Sequence, residues 1–205
     1  VQVRHTGSGP GGALSTWRLR LKGLSIAEGE VHVWSISARA AQFTGRAVRD
    51  SHKVGSPAAA TRAVSVASYT TRNEWEDLLG NQQVAGLDED DISDFSSEGP
   101  RRGGGPKPDL AAPGAMIVSS LSVHSPVEPS ELIDDRHLVM AGTSMAAPFV
   151  SGLVALLLER DPKLEPETAK ELLQAASAVP GRPAGAFDPK WGRGLVDAAR
   201  LAQDP

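Results

Sequence analysis

The sequence contains no cysteine, and that one absence removes disulfides, thiolate metal sites and cysteine nucleophiles together. Long apolar runs are missing as well. The strongest, from Phe149 to Leu158, is broken by Ser151 and Gly152. It falls well short of the ~20 residues needed to cross a bilayer, so it predicts a buried helix and no membrane partner. Nor is positive charge in excess. The formal net charge is -4, and no stretch gathers Lys and Arg with aromatics, so the electrostatic footprint for nucleic acid is missing. No charged-then-apolar leader opens the chain, which starts at Val1 rather than Met. Its start is therefore expected to be a processing site or a boundary within a longer protein.

What remains is an ordinary globular composition, 40% hydrophobic and 22% charged over 205 residues, enough for one sizeable core with a smaller appended piece. Residues 7–14, GSGPGGAL, are a loop by composition. Residues 17–21 and 30–36 alternate in character with period two on either side of Gly29, which predicts a β-hairpin. The pattern changes after it. A short β-rich segment, 1–45, is accordingly separated from a main domain, 46–205.

Within the main domain, residues 63–69 read as an interior strand entered through a Gly55-Ser56-Pro57 turn. Residues 73–94 are polar and acidic. Their Asp88-Glu89-Asp90-Asp91 run lacks the glycine and distal glutamate of a calcium loop and reads as a solvated charged loop. Residues 116–119 and 138–141 read as short buried strands. Residues 144–159 are apolar almost all round, which predicts a helix inside a larger core, stopped by Asp161-Pro162. A surface helix starts at Glu165-Pro166 and runs to about Ser177, with Ala169, Leu172, Leu173 and Ala176 on one stripe. A third helix, 195–202, follows the glycine-rich turn at 191–194.

The sharpest feature is Gly142-Thr143-Ser144-Met145-Ala146-Ala147-Pro148, where a buried strand turns into the apolar helix. A serine at a helix N-terminus lies beside unpaired N–H groups and the positive end of the helix dipole. Both favour the negative charge that a tetrahedral acyl-transfer intermediate develops. Gly142 lets a substrate backbone come close, and the small Ala146 and Ala147 let the helix pack tightly. On the residues alone, Thr143 or Ser144 reads equally well as a simple helix cap.

This segment resembles the nucleophile signature of the subtilisin-like serine proteases, the subtilases. Phe95-Ser96-Ser97-Glu98-Gly99-Pro100 resembles the family's stretch ahead of the substrate-cleft loops, and the 107–114 segment, KPDLAAPG, resembles its proline–glycine turn. Residues 54–58, 63–68 and 191–197 extend the likeness over about residues 50–203. The resemblance implies the C-terminal part of a three-layer α/β fold with a mostly parallel sheet. It implies a serine endopeptidase that hydrolyses protein or peptide substrates through an acyl-enzyme. Ser144 would be the nucleophile, its own N–H would contribute to the oxyanion hole, and Gly142 and Thr143 would border the cleft. No cofactor is expected. The resemblance leaves calcium and an extracellular or periplasmic location open, without a motif here that supports either. Residues 1–45 resemble the end of a β-sandwich that some members insert.

The departures are equally informative. A subtilase takes an Asp and a His from glycine-rich motifs far ahead of the serine, and neither motif occurs here. The oxyanion asparagine has no counterpart, because Asn73 and Asn81 both follow the strand it should precede. His137 is nearest to Ser144 in sequence, but the strand after it should carry it away. His32 reads as a solvent-facing strand residue and Asp109 as turn or cap chemistry. The chain is therefore expected to be a nearly inactive fragment whose partner is an upstream N-terminal segment of the same protease. The alternative is a catalytically inactive, subtilase-like binding or scaffolding protein.

Overall fold

Among the described residues there are eight short strands and three α-helices, and the strands Val66–Thr70, Ile117–Ser120 and His137–Met140 and the three helices fall near their expected places. The computed structural model describes residues 22–35 and 43–203. The chain divides into two units, Val1–Gln42 and Phe43–Pro205, which are treated separately. In the first, residues 30–35 form no strand and every residue from 22 to 35 is exposed. The expected strand at 30–36 is thus not formed over its described part, and residues 17–21 lie outside the described residues. Among the described residues no apolar face covers these side chains. Val31 is 72% exposed and Val33 48% exposed, so alternation has no apolar surface to pack on, and a lone two-stranded hairpin is marginal in water.

The second unit is built on a four-stranded sheet. β1 (Val66–Thr70) lies parallel to β4 (Leu110–Ala115), β4 parallel to β8 (Leu195–Val196), and β7 (Ser177–Ala178) antiparallel to β8. This is the α/β arrangement with a mostly parallel sheet that the sequence predicts. Two antiparallel pairs flank it: β2 (Glu74–Glu76) with β3 (Gln82–Val84), and β5 (Ile117–Ser120) with β6 (His137–Met140). The helices are α1 (Thr143–Arg160), α2 (Pro166–Ala175) and α3 (Ala198–Gln203). Leu110 and Ala112 of β4 meet Ala146, Val150, Leu153 and Leu157 of α1, Leu173 of α2 and Leu201 of α3 in one buried cluster.

Several expectations need correction. Residues 110–114 of KPDLAAPG belong to β4, an inner strand of the sheet, rather than to a turn. Pro113, which cannot donate to a ladder, is tolerated because the register with β1 slips there, from Tyr69↔Pro113 to Thr70↔Ala115. Residues 195–196 are strand, and α3 begins only at Ala198 because Asp197 Oδ1 accepts the N–H groups of Ala199 and Arg200 at 2.9 and 3.0 Å. β5 is largely exposed rather than buried. Helix α1 buries a single stripe, Ala146, Val150, Leu153 and Leu157. Leu156 stays 59% exposed and Phe149 41% exposed, because the described elements cover only one side of it.

The acidic stretch is also more ordered than a solvated loop. Tyr69 donates its hydroxyl to Asp90 Oδ1 at 2.8 Å, and burial, followed by Asp90, pushes that phenol up to about 12. Glu89 accepts the Asn73 N–H at 2.7 Å, and across this edge of β1 the Thr70 N–H donates to the Asp91 carbonyl at 2.9 Å while the Asp90 N–H donates to the Thr70 carbonyl at 3.0 Å. The β2–β3 turn is organised by Asp77, whose carboxylate accepts the Asn81 and Leu79 N–H groups at 2.9 Å each and the Gln83 amide at 2.9 Å.

Asp109 is neither turn nor cap. It is buried at the amino end of β4 and accepts the Ser65 N–H at 2.7 Å, Lys107 Nζ at 2.6 Å and Lys170 Nζ of α2 at 2.6 Å. One carboxylate thereby ties the approaches to β1 and β4 to α2. Burial pushes the Lys107 ammonium below its usual range, and Asp109 opposes that shift.

Two outcomes are expected. Asp109→Ala leaves two ammonium groups facing no carboxylate and should lower the unfolding free energy by about 3–5 kcal/mol in urea titration; a loss under about 1 kcal/mol contradicts this role. The Asn81 N–H, first among its partners, holds the Asp77 carboxyl below the usual range. A depressed folded pKa means that stability is present above the unfolded value near pH 4 and is lost as pH falls through the lower folded value. Asp77→Asn should therefore flatten the acid limb of a stability–pH profile, and an unchanged limb would show that Asp77 contributes nothing to it.

Candidate active site

Ser144 is placed by the junction of β6 and α1 against the carboxyl end of β4. The Gly142 N–H donates to the Gly114 carbonyl at 2.8 Å, which fixes where the helix begins. Gly142 is the helix N-cap with φ 156° and ψ 156°, a region that residues with a Cβ essentially avoid. Gly114 brings the helix close: a Cβ there would lie 2.5 Å from Ser68 Oγ and 2.9 Å from Ala146 Cβ. In open parallel sheets the carboxyl ends of the strands are where ligands bind.

No side chain caps α1. Thr143 and Ser144 are its first two residues and both are exposed. The reading in which one of them serves as a helix cap is therefore set aside. The Met145 and Ala146 N–H groups turn back to the Gly142 carbonyl at 2.9 and 3.4 Å. The Thr143 and Ser144 N–H groups, and Ser144 Oγ, have no hydrogen-bond acceptor or donor among the described residues. A hydroxyl in this position stands beside two uncommitted amide donors and the positive end of an 18-residue helix. It can attack a carbonyl carbon while a neighbouring N–H receives the developing oxyanion.

No base meets it among the described residues. His137 begins β6, about 10 Å of strand before the turn to Ser144, and its Nδ1 pairs with Asp134 at 2.9 Å. The Arg136 N–H, then His137, hold the Asp134 carboxyl below its usual range. His52 bonds Ser51 at 2.9 Å and His124 is exposed. In the first unit His32 bonds Glu30 at 3.1 Å and stacks on Trp34; His5 lies outside the described residues. Asn73 accepts the Leu87 N–H and Asn81 donates to Asp77, so both carboxamides serve the β2–β3 hairpin. No three His, Asp or Glu side chains converge as metal ligands among the described residues, and the Asp90 and Glu89 carboxylates already accept protein donors. The structural part of Gly114 was hidden in the sequence by its proline neighbour, which suggested a turn.

The main unit is thus an α/β structure with an exposed serine hydroxyl at the carboxyl end of its parallel strands. Comparison with known proteins specifies the class. The model of the subtilase family matches residues 9–194, and the chain belongs to that family. The match takes in most of the first 45 residues, which on sequence reading stood outside the family's core. The serine protease AprX of Bacillus subtilis is 33% identical over 144 residues, 69% of this chain and 30% of AprX. Mycosin-1 of Mycobacterium tuberculosis is 38% identical over 96 residues, 46% of this chain and 20% of its own length. Among solved structures, the CspB protease of Clostridium perfringens superposes with a TM-score of 0.54 at 30% identity, over 75% of this chain and 29% of CspB. The chain thus spans less than a third of the length of these relatives.

Two substitutions test whether the Ser144 hydroxyl holds the helix start. Ser144→Ala should change the unfolding free energy by no more than about 0.5 kcal/mol, as expected for an exposed residue without partners. Gly142→Ala should cost about 1–3 kcal/mol through backbone strain. A loss above about 1 kcal/mol for Ser144→Ala would mean that the hydroxyl holds the helix after all.

Proposed function

We propose that this chain is the nucleophile-bearing part of a serine endopeptidase. The observation that carries the reading is the exposed Ser144 hydroxyl in the first turn of α1, which has no hydrogen-bond partner among the described residues and stands beside N–H groups that none of them accepts from. Ser144 Oγ attacks the scissile carbonyl of a protein or peptide substrate, and its proton passes to a histidine held by an upstream segment of the same protein. The Ser144 N–H receives the oxyanion, and Gly142 and Thr143 border the bound backbone. Collapse of the tetrahedral intermediate expels the amine, which takes the proton from the histidine. Water then hydrolyses the acyl-enzyme and regenerates Ser144. No metal or cofactor takes part in these steps.

The upstream segment has a second task in this reading. Phe149, Leu156 and Leu158 are exposed on α1, together with the small Ala147, Gly152 and Ala155. These side chains form the surface against which that segment packs, which brings its histidine to Ser144.

Fluorophosphonate labelling of the intact parent protein tests both parts. Strong labelling that vanishes with Ser144→Ala, and a fall in peptide hydrolysis of about 10⁴-fold or more, is expected. The isolated chain should label weakly and regain labelling when mixed with the upstream segment. A folded parent that does not label would instead favour an inactive, subtilase-like binding protein, a reading suggested by the lack of a base near Ser144 among the described residues.

A further inference from the structure

At the opposite end of the sheet from Ser144, the segments that lead into β1 and β4, through Thr61 and residues 105–109, border a cavity of about 250 Å³. Arg101, Lys107, Lys170 and Arg193 line it, and Asp109 is its single carboxylate. The chain as a whole carries net charge of -4, so this excess of positive charge is local. Asp109 is already shared by Lys107 and Lys170, at 2.6 Å each.

The two guanidinium groups are held in place but only partly used. Arg101 Nε donates to the Gly104 carbonyl at 2.8 Å, and its Nη1 donates to the Ala59 carbonyl at 3.1 Å and Thr61 Oγ1 at 2.8 Å. Its Nη2 has no acceptor among the described residues. Arg193 Nη1 donates to the Gly185 carbonyl, and its Nε and Nη2 likewise have none. Neither arginine has a carboxylate partner there. The 103–105 glycines all have positive φ, and Gly105 lies against the Arg101 group, where a Cβ would come 2.8 Å from Arg101 Nε.

We infer that this cavity binds a doubly charged tetrahedral oxyanion, either inorganic phosphate or a phosphoryl group on a larger ligand, gripped by Arg101 Nη2 and the uncommitted donors of Arg193. Planar guanidinium donors match such oxygens with charge-assisted hydrogen bonds. A dianion offsets the excess of four cations over one carboxylate more fully than a monocarboxylate can. The bound anion joins the 101–107 loop and the 193 turn beside α2, where Lys107 and Lys170 meet Asp109. The site lies about 17 Å from the Ser144 end, the length of β4, so it acts apart from the bond-breaking chemistry.

Isothermal titration of the intact protein with inorganic phosphate, at constant ionic strength set with sodium chloride, tests this. One saturable site with a Kd of about 1 mM or below is expected. Arg101→Gln combined with Arg193→Gln should weaken it at least tenfold. Arg136→Gln, at an exposed pair with Asp135, should leave it unchanged. Should the double variant misfold, Arg193→Lys alone keeps the charge, removes the fork and should weaken binding severalfold. O-phosphoserine binding more tightly than phosphate assigns the site to a phosphoryl group on a larger ligand, and weaker binding assigns it to the free ion. The inference is overturned if phosphate does not saturate a site by about 10 mM, if acetate binds as well as phosphate, or if binding survives the double variant.

Discussion

The position of Ser144 depends on how closely α1 approaches the sheet. At Gly114 the helix and β1 come so near that a single added carbon would overlap Ser68 Oγ and Ala146 Cβ. The same residue's carbonyl accepts the Gly142 N–H. Close packing and a directed hydrogen bond thus act at one point, and a dense interior transmits small displacements rather than absorbing them. Gly142 completes the junction, since its backbone angles let the chain leave β6 and enter α1 without a capping side chain. The exposed hydroxyl is a consequence of that geometry.

The two ends of the sheet are organised by different forces. At the carboxyl end, small residues and uncommitted amide donors present Ser144 to solvent. At the amino end, Asp109 gathers the Ser65 N–H and two lysines. Buried ion pairs contribute little net stability compared with apolar packing, but breaking one is costly, so they fix arrangement. Asp109 ties the approaches to β1 and β4 to α2.

Much of this was legible in the sequence. The apolar run of α1 and the stripe of α2 gave their positions within a few residues, because both have a strong pattern and proline signals at their ends. The nucleophile motif marked Ser144, whereas its role against a cap became distinguishable only when Gly142 took the cap position. β4 was obscured because Pro113 normally argues against a central strand, and a register slip was needed to accommodate it. β2 and β3 are three residues each and mostly Glu and Gln, too short and too polar to show an alternating apolar pattern, and Asp77 organises the turn between them. The alternation at 30–35 proved insufficient without a surface to pack on. The cationic cavity was invisible because Arg101, Lys107, Lys170 and Arg193 come from separate segments and converge only through the fold.

The central claim is that the first turn of α1 presents a nucleophile and an oxyanion donor together. A crystal structure of the intact parent protein inhibited by a fluorophosphonate tests it most directly. The account predicts phosphorus bonded to Ser144 Oγ, with a phosphonyl oxygen about 2.7–3.1 Å from the Ser144 N–H and Gly142 unchanged. Phosphorus on another residue, or a phosphonyl oxygen turned away from the helix N-terminus, would contradict it.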